Sequence, residues 1–412
     1  MNFEVLKRSH VKRNILIGVI IVLILSAIIL TFTRAKYKIT KSLPLVNGTI
    51  NYELSDFNLI GAYIQTEGDN YTQVDEIPTS GYEFNSEKSY CTVNDENINV
   101  TLSYDMETQN LTITPLTTKG TKCYLYFDEK LSAGDTILAS GNAPTGQTTD
   151  WTNNGQGVTY YYTGANPNNW VQFGEFWWRI IRINGDGSIR MIYQGTSANT
   201  TGTGTQIGTS AFNSSYNRSY YVGLVHDGSS QHGYGQPSTI MTTLNNWYNS
   251  NLASYEEDYI DTGAGFCSDR NLQSGSWSAT GSHNYAAYGR LYNKGSESAS
   301  LQCSDVDILS QDNGRLPNPI GLVTADEVAL AGVTWSNPQS SYLNTGQNYW
   351  TMSPSMSSNG FAGVFRVYSS GRLIDDRVNY SNGVRPVINL KANIAISSGN
   401  GSSDTPFVVL TS

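Results

Sequence analysis

The longest apolar stretch in the chain runs from Ile15 to Phe32 and is broken only by Gly18, Ser26 and Thr31. About eighteen helical residues at roughly 1.5 Å each cover most of a hydrocarbon core about 30 Å thick. The pattern predicts a transmembrane anchor over 14–33, preceded by a basic cytoplasmic tail at 1–13. A cleaved signal peptide has a shorter apolar region and a small-x-small site, and Thr33-Arg34-Ala35 makes a poor one. Basic residues flank both ends of the span, Lys7, Arg8, Lys12 and Arg13 before it and Arg34, Lys36, Lys38 and Lys41 after it, so their count is a tie. The long polar remainder and its cysteines place the rest of the chain outside the cell.

Beyond a linker at 34–47, short alternations such as Thr49-Ile50-Asn51-Tyr52, Leu111-Thr112-Ile113 and Tyr124-Leu125-Tyr126-Phe127 predict a small all-β domain over 48–130, read as a stalk or as a second binding module. Residues 131–157, with Gly141, Pro144 and Gly146, read as a second linker. A larger domain over 158–395 opens on a hairpin. Its strands are Phe176 to Ile183 and Ser188 to Tyr193, joined by Asn184-Gly185-Asp186-Gly187. Two helices follow: one capped by Ser238, with Ile240, Leu244, Trp247, Tyr248 and Leu252 on one face, and one opened by a capping box at Thr324 to Glu327 and closed by Gly332. Between them 255–318 reads as a long surface excursion. Strands are expected around 363–368, 372–374 and 384–390, and 396–412 as a turn leading to an edge strand at Phe407 to Leu410. The fold class is therefore α+β: a transmembrane helix, a small all-β domain, and a domain with two helices and a mixed, mostly antiparallel sheet.

Composition narrows the function. Charged residues make up only 14% of the chain, while 27 Tyr, 8 Trp and 39 Gly favour strands, turns and loops. A net charge of −9 argues against nucleic acid as a partner, because phosphate binding draws on clustered Lys and Arg. Cys91, Cys123, Cys267 and Cys303 fall as two separated pairs with no CxxC, which reads as two disulfides and an oxidising compartment; four reduced core cysteines are the other reading.

Candidate chemistry is sparse. His226, His232 and His283 sit in polar contexts and read as surface residues rather than a zinc or triad site. Asp375-Asp376 and Glu256-Glu257-Asp258 are adjacent acids, which do not define the carboxylate separation of glycoside hydrolysis. Neither a metal nor a cofactor is expected, and the chain reads as a non-enzyme.

The order of a Trp-rich hairpin, a Trp-bearing helix, a second helix, then Tyr349-Trp350-Thr351-Met352-Ser353-Pro354 and Gly383-Val384-Arg385-Pro386-Val387-Ile388 resembles a known family. It is similar to the surface proteins of gut Bacillota whose C-terminal domain has the C-type-lectin-like fold shared with relatives of formylglycine-generating enzyme. The likeness covers roughly residues 158 to 395. Some members of that group are targets of diversity-generating retroelements, which rewrite chosen surface codons near the C-terminus.

The resemblance implies a variable binding surface over about 348–382, with Trp350, Pro354, Val364, Phe365, Val367, Gly371 and Val378 as frame. The ligand-binding candidates are Asn348, Ser355, Ser357, Ser358, Phe361, Gly363, Arg366, Arg372, Ile374, Asp375, Arg377, Asn379, Ser381 and Asn382. They are otherwise ordinary solvent-facing positions of the last strands. Arg385 is expected to pair with a buried carboxylate or to bind an anionic ligand. The implied partner is an extracellular protein or glycan. No cysteine follows Cys303, so the thiol chemistry of formylglycine generation has no material here. Likewise Gln236-Pro237-Ser238 and Trp335-Ser336-Asn337 have the wrong order and spacing for a lectin calcium loop. Two rivals remain: a cell-surface enzyme acting on glycans, or a degenerate relative of those modifying enzymes, and a structural envelope protein.

Overall fold

A computed structural model describes residues 57–411, except 67, 79–80, 107, 116–119, 145, 150–157, 296–297, 336–339, 359 and 398. The predicted tail at 1–13, anchor at 14–33 and linker at 34–47 lie outside the described residues. Among the described residues no helix is long and apolar enough to cross a membrane. The chain divides into two compact units, Met1–Lys130 and Leu131–Ser412.

The first unit contains strands β1 (Phe57–Gln65), β2 (Tyr71–Val74), β3 (Tyr82–Val93), β4 (Glu96–Ile98), β5 (Thr101–Asp105), β6 (Asn110–Thr114) and β7 (Thr121–Glu129). Five form one sheet in the order β2-β1-β7-β3-β4, and β5 and β6 pair as a separate hairpin. Strict alternation along β7 turns Cys123, Leu125 and Phe127 inward, where they meet Leu102, Tyr104 and Leu111 of the hairpin. Asn94 and Asp95 both take positive φ, which closes the two-residue turn between β3 and β4. Cys91 and Cys123 stand directly opposite each other on β3 and β7 and are disulfide-bonded.

The second unit holds helices α1 (Ala133–Ala139), α2 (Thr239–Asn251), α3 (Glu256–Tyr259), α4 (Ala286–Leu291) and α5 (Ala325–Leu330). Its strands are β8 (Gly146–Thr149), β9 (Val158–Tyr161), β10 (Trp170–Phe173), β11 (Phe176–Ile183), β12 (Ile189–Gly195) and β13 (Gly208–Ala211), then the short β14 (Val225–His226), β15 (Gln236–Pro237), β16 (Phe266–Cys267), β17 (His283–Asn284) and β18 (Ile308–Leu309). The last are β19 (Tyr349–Ser358), β20 (Phe361–Tyr368), β21 (Arg372–Arg377), β22 (Ser381–Val384), β23 (Val387–Leu390), β24 (Ile396–Ser397) and β25 (Phe407–Val409). One sheet runs β23-β12-β11-β10-β25-β24, with β9 also on β11 and β8 on β9; the other runs β13-β22-β19-β20-β21, with β17 on β19.

The α+β expectation is corrected: the described residues are mostly β, 39% strand against 16% helix. The helices expected at Ser238 and Thr324 form, but only α2 is longer than two turns, because the Gly, Asn, Ser and Thr background favours turns over helix extension. Two further boundaries differ. Residues 131–157 are not simply a linker, since Ser132 and Asp135 make a capping box for α1 and Ala133 N–H donates to the Ala392 carbonyl. Nor is the Phe407 to Leu410 run an edge strand: β25 lies between β10 and β24, with Phe407 buried.

Sheet and helix are locked by charge. Arg182 and Arg190 stand opposite each other on β11 and β12, and both guanidinium groups reach Glu327 of α5. All three side chains are at most 1% exposed. Glu327 also accepts the Thr324 N–H, closing the capping box. A second disulfide, Cys267–Cys303, staples the excursion between α2 and α5 beside Leu301. The two disulfides are consistent with an extracellular protein.

Candidate binding surface

The segment 348–382 folds into β19, β20, β21 and the start of β22, and the structure separates its residues into two groups. Buried among them are Ser355, Ser357, Gly363 and Asn382. They belong to the frame, contrary to the sequence expectation. β19 is a central strand covered on both faces, so period-two alternation does not expose every second side chain there. A Cβ on Gly363 would come within 2.8 Å of the Ser355 hydroxyl oxygen. Asn348, Ser358, Phe361, Arg366, Arg372, Ile374, Asp375 and Asn379 are half-buried, and Arg377 and Ser381 are exposed.

Arg366 is half-buried but engaged. Its Nη1 donates to Asn382 Oδ1 at 2.7 Å and pairs with Asp376 Oδ2 at 2.8 Å, while Asn382 donates to the same carboxylate at 3.3 Å. This triangle braces β20, β21 and β22, so Arg366 serves geometry before it serves a ligand. Asn348 is held similarly, its side chain accepting from Ser369 N–H and its carbonyl from Gln206 Nε2.

The outward groups line β21, the edge strand of the sheet. At one end the Arg377 guanidinium lies 5.2 Å over the Phe361 ring. At the other, Arg372 Nε donates to the Trp335 carbonyl at 3.0 Å. Trp335 in turn packs 4.1 Å from Tyr292, which stacks 4.4 Å from Tyr288. The aromatic row leads back to Asp375, whose carboxylate helps to raise the Tyr288 phenol. Burial first, then Tyr292 and Asp375, push Tyr288 up to about 12.

Tyr288, Tyr292 and Trp335 were missed in the sequence. The only signal was the i,i+4 spacing of the two tyrosines at the end of a short helix, in the excursion read as mere surface loop.

Burial raises the Asp375 carboxyl above its ordinary range, although Ser355 Oγ donates to it at 3.2 Å. A raised folded-state value means that ionising this group opposes folding. Its favourable contribution is complete below the ordinary carboxylate range and lost as pH rises through the folded-state value. Asp375→Asn is therefore expected to raise the unfolding midpoint at pH 7 and to leave it unchanged near pH 3. Calorimetric scans of both proteins at the two pH values check this, and equal midpoints at pH 7 would contradict it.

Other groups singled out in the sequence are structural. Trp350 is fully buried. Arg385 is too, but its partners are the Tyr193 carbonyl and the Gln194 side-chain oxygen rather than a carboxylate. His226 is not a surface residue: burial, then the Arg270 charge, lower it to about 4, and its Nε2 lies 3.3 Å from the Asn213 amide. Among the described residues no cluster of three or more His, Cys, Asp or Glu is placed to hold a metal ion. A cavity of about 320 Å³ is lined by Asn142, Tyr162, Asn166 and Asn168 and by no residue of the predicted segment. In comparisons with known proteins, no family model, no curated protein and no solved structure matches this chain.

Proposed function

We propose that the chain is a non-catalytic binding protein of the cell surface, held at the membrane through the apolar segment Ile15 to Phe32 and taking an extracellular protein or glycan on the β21 edge of its C-terminal unit. The observation that carries this reading is the pair of groups flanking edge strand β21, Phe361 with Arg377 at one end and Arg372 with Trp335, Tyr292 and Tyr288 at the other, on a sheet in which Phe365, Val367 and Leu373 are fully buried. Aromatic and arginine side chains supply contact area and hydrogen bonding at low entropic cost, and a packed frame beneath them keeps that cost low.

The resemblance to C-type-lectin-like surface proteins with a diversified C-terminus supports the same placement. Diversification would then be confined to Phe361, Arg372, Ile374, Asp375, Arg377, Asn379 and Ser381. Ser355, Ser357, Gly363 and Asn382 would stay constant, because new side chains there collide with the frame. A near-copy of the codons for 348–390 beside the gene, differing at adenines and accompanied by a reverse transcriptase, would support that history; a locus with neither would remove it.

The binding reading is tested with full-length chain displayed on cells. A Phe361→Ala/Arg377→Glu/Tyr292→Ala variant and the parent are compared on a glycan array and against intact neighbouring bacteria. At least a tenfold loss of a parental signal, with an unchanged unfolding midpoint, is expected. Undiminished binding by the variant would refute the placement, and turnover of an arrayed glycan would favour an enzyme.

A further inference from the structure

We infer that Asp269, Arg290 and Asp326 form a proton-sensitive latch, one that holds α4, and with it Tyr288 and Tyr292, more tightly in mild acid than at neutral pH. Arg290 follows Tyr288 by two residues and so leaves the helix about 200° around its axis from that ring. The tyrosines meet Trp335, while the guanidinium meets two carboxylates. Its Nε and Nη2 donate to Asp326 of α5, at 3.0 Å to Oδ1 and 2.8 Å to Oδ2, and Nη2 also donates to Asp269 Oδ2 at 2.5 Å. Asp269 follows Cys267 closely in the stapled excursion, so one side chain ties α4 both to α5 and to that loop.

The charges here do not balance. The Asp269 and Asp326 side chains are 9% and 4% exposed, and one guanidinium serves both. Asp326 is the better served, because it takes two N–H groups of the guanidinium side by side and the Ser300 N–H at 2.9 Å, whereas Asp269 shares a nitrogen with it. The neighbouring charges leave the surplus in place. Asp307 is fully buried, accepts from His232 Nδ1 at 2.8 Å, Ser268 Oγ at 3.1 Å and the Arg270 N–H at 3.2 Å, and lies 4.0 Å from the Arg270 guanidinium. Three buried carboxylates thus face two guanidinium groups. A proton on Asp269 removes the surplus charge and leaves a carbonyl oxygen to accept from Arg290.

Burial pushes the Asp269 carboxyl up to about 6, and the Asp326 and Asp307 charges add to that push against the pull of Arg290. A raised folded-state value contributes stability that is complete below the ordinary carboxylate range and lost as pH rises through about 6. Opening that releases the latch should therefore become about tenfold more frequent from pH 5 to pH 8, the change that linkage gives for a carboxyl returning to its ordinary value.

Two other titratable groups lie near α4: Asp375 acts on Tyr288 from β21, and His232 meets Asp307 from the loop after β14. Substitution separates them from the latch. Asp269→Asn has the shape of the protonated carboxyl, keeps an acceptor for Arg290 and is tolerated at the φ of +42° that Asp269 adopts. It fixes the latch in its acid form, whereas Asp375→Asn and His232→Gln leave Asp269 free to titrate. The consequence for ligand binding rests on the proposed β21 edge; the latch itself does not.

Full-length chain in detergent micelles is followed by hydrogen exchange at the amides of residues 286–292 from pH 5 to pH 8, each rate divided by the intrinsic rate at that pH. Protection that falls about tenfold across the range is expected in the parent, in Asp375→Asn and in His232→Gln, against a fall of less than about threefold in Asp269→Asn. Should Asp269→Asn not fold, Asp269→Ser, which also removes the carboxyl, takes its place, and the parent profile still decides. A flat parent profile, a fall retained in the Asp269 variant, or one abolished by Asp375→Asn or His232→Gln would each overturn the inference. None of these outcomes involves a ligand, so a failed latch leaves the β21 edge standing and a failed edge leaves the latch.

Discussion

Replacing Glu327 by alanine is expected to destabilise the C-terminal unit by about 3–5 kcal/mol, the range for removing one partner of a buried ion pair. The substitution removes the carboxylate that both Arg182 and Arg190 reach at 1% and 0% side-chain exposure. It also removes the acceptor of the Thr324 N–H that opens α5. Glu327→Gln keeps the cap and part of the hydrogen bonding, so it should cost less than alanine while still losing the charge. Burial pulls the Glu327 carboxyl up, but Arg190 and Arg182 pull it further down, and the net direction is below its ordinary value. A lowered folded-state value contributes stability that is present above the ordinary carboxylate range and lost as pH falls through that value. The gap between parent and Glu327→Gln should therefore be full at pH 7 and close in strong acid. Urea unfolding at several pH values measures it, and a Glu327→Ala cost under about 1 kcal/mol would mean that the charges are solvated rather than sealed.

How much of this was legible in the sequence differs by feature, for physical reasons. The hairpin β11–β12 announced itself because Asn184 to Gly187 is a turn that only glycine-rich chemistry closes; Gly187 takes φ +83° there. Ser238 and Thr324 announced α2 and α5 because an N-cap is a local hydrogen bond, readable within four residues. The cysteines paired as spaced. By contrast, α1 was hidden by the glycine and proline that follow it, although Ser132 and Asp135 spelled the same capping box.

The proposed binding edge was half legible. Its strands could be placed, yet which side chains reach solvent depends on what lies over each face, and that is set by elements distant in sequence. Ser355 is buried because β19 is central, with Tyr285 N–H donating to its carbonyl, and Asn382 because Arg366 folds back on it. Tyr288, Tyr292 and Trp335 come to the edge from other segments altogether.

Trp350 belongs to the buried frame of the sheet that carries the proposed binding edge, and Trp350→Ala is expected to cost about 3–5 kcal/mol, as emptying a core tryptophan site does. The ring is fully buried, its Nε1 donates to the Ser210 carbonyl at 2.9 Å, and Phe212 meets it edge-on at 5.7 Å. Since Ser210 lies on β13 and Trp350 on β19, with β22 between them, this one side chain ties three strands of the sheet together. Trp350→Phe fills most of the volume but leaves the Ser210 carbonyl without its donor, so it should cost less, about 1–3 kcal/mol. A platform residue would behave in the opposite way, losing ligand while the unfolding midpoint stayed put. Unfolding and array binding measured on the same Trp350→Phe protein distinguish the two. Lowered stability with binding retained in the folded fraction is the expected result, and unchanged stability with lost binding would move the ligand site from the β21 edge to the indole.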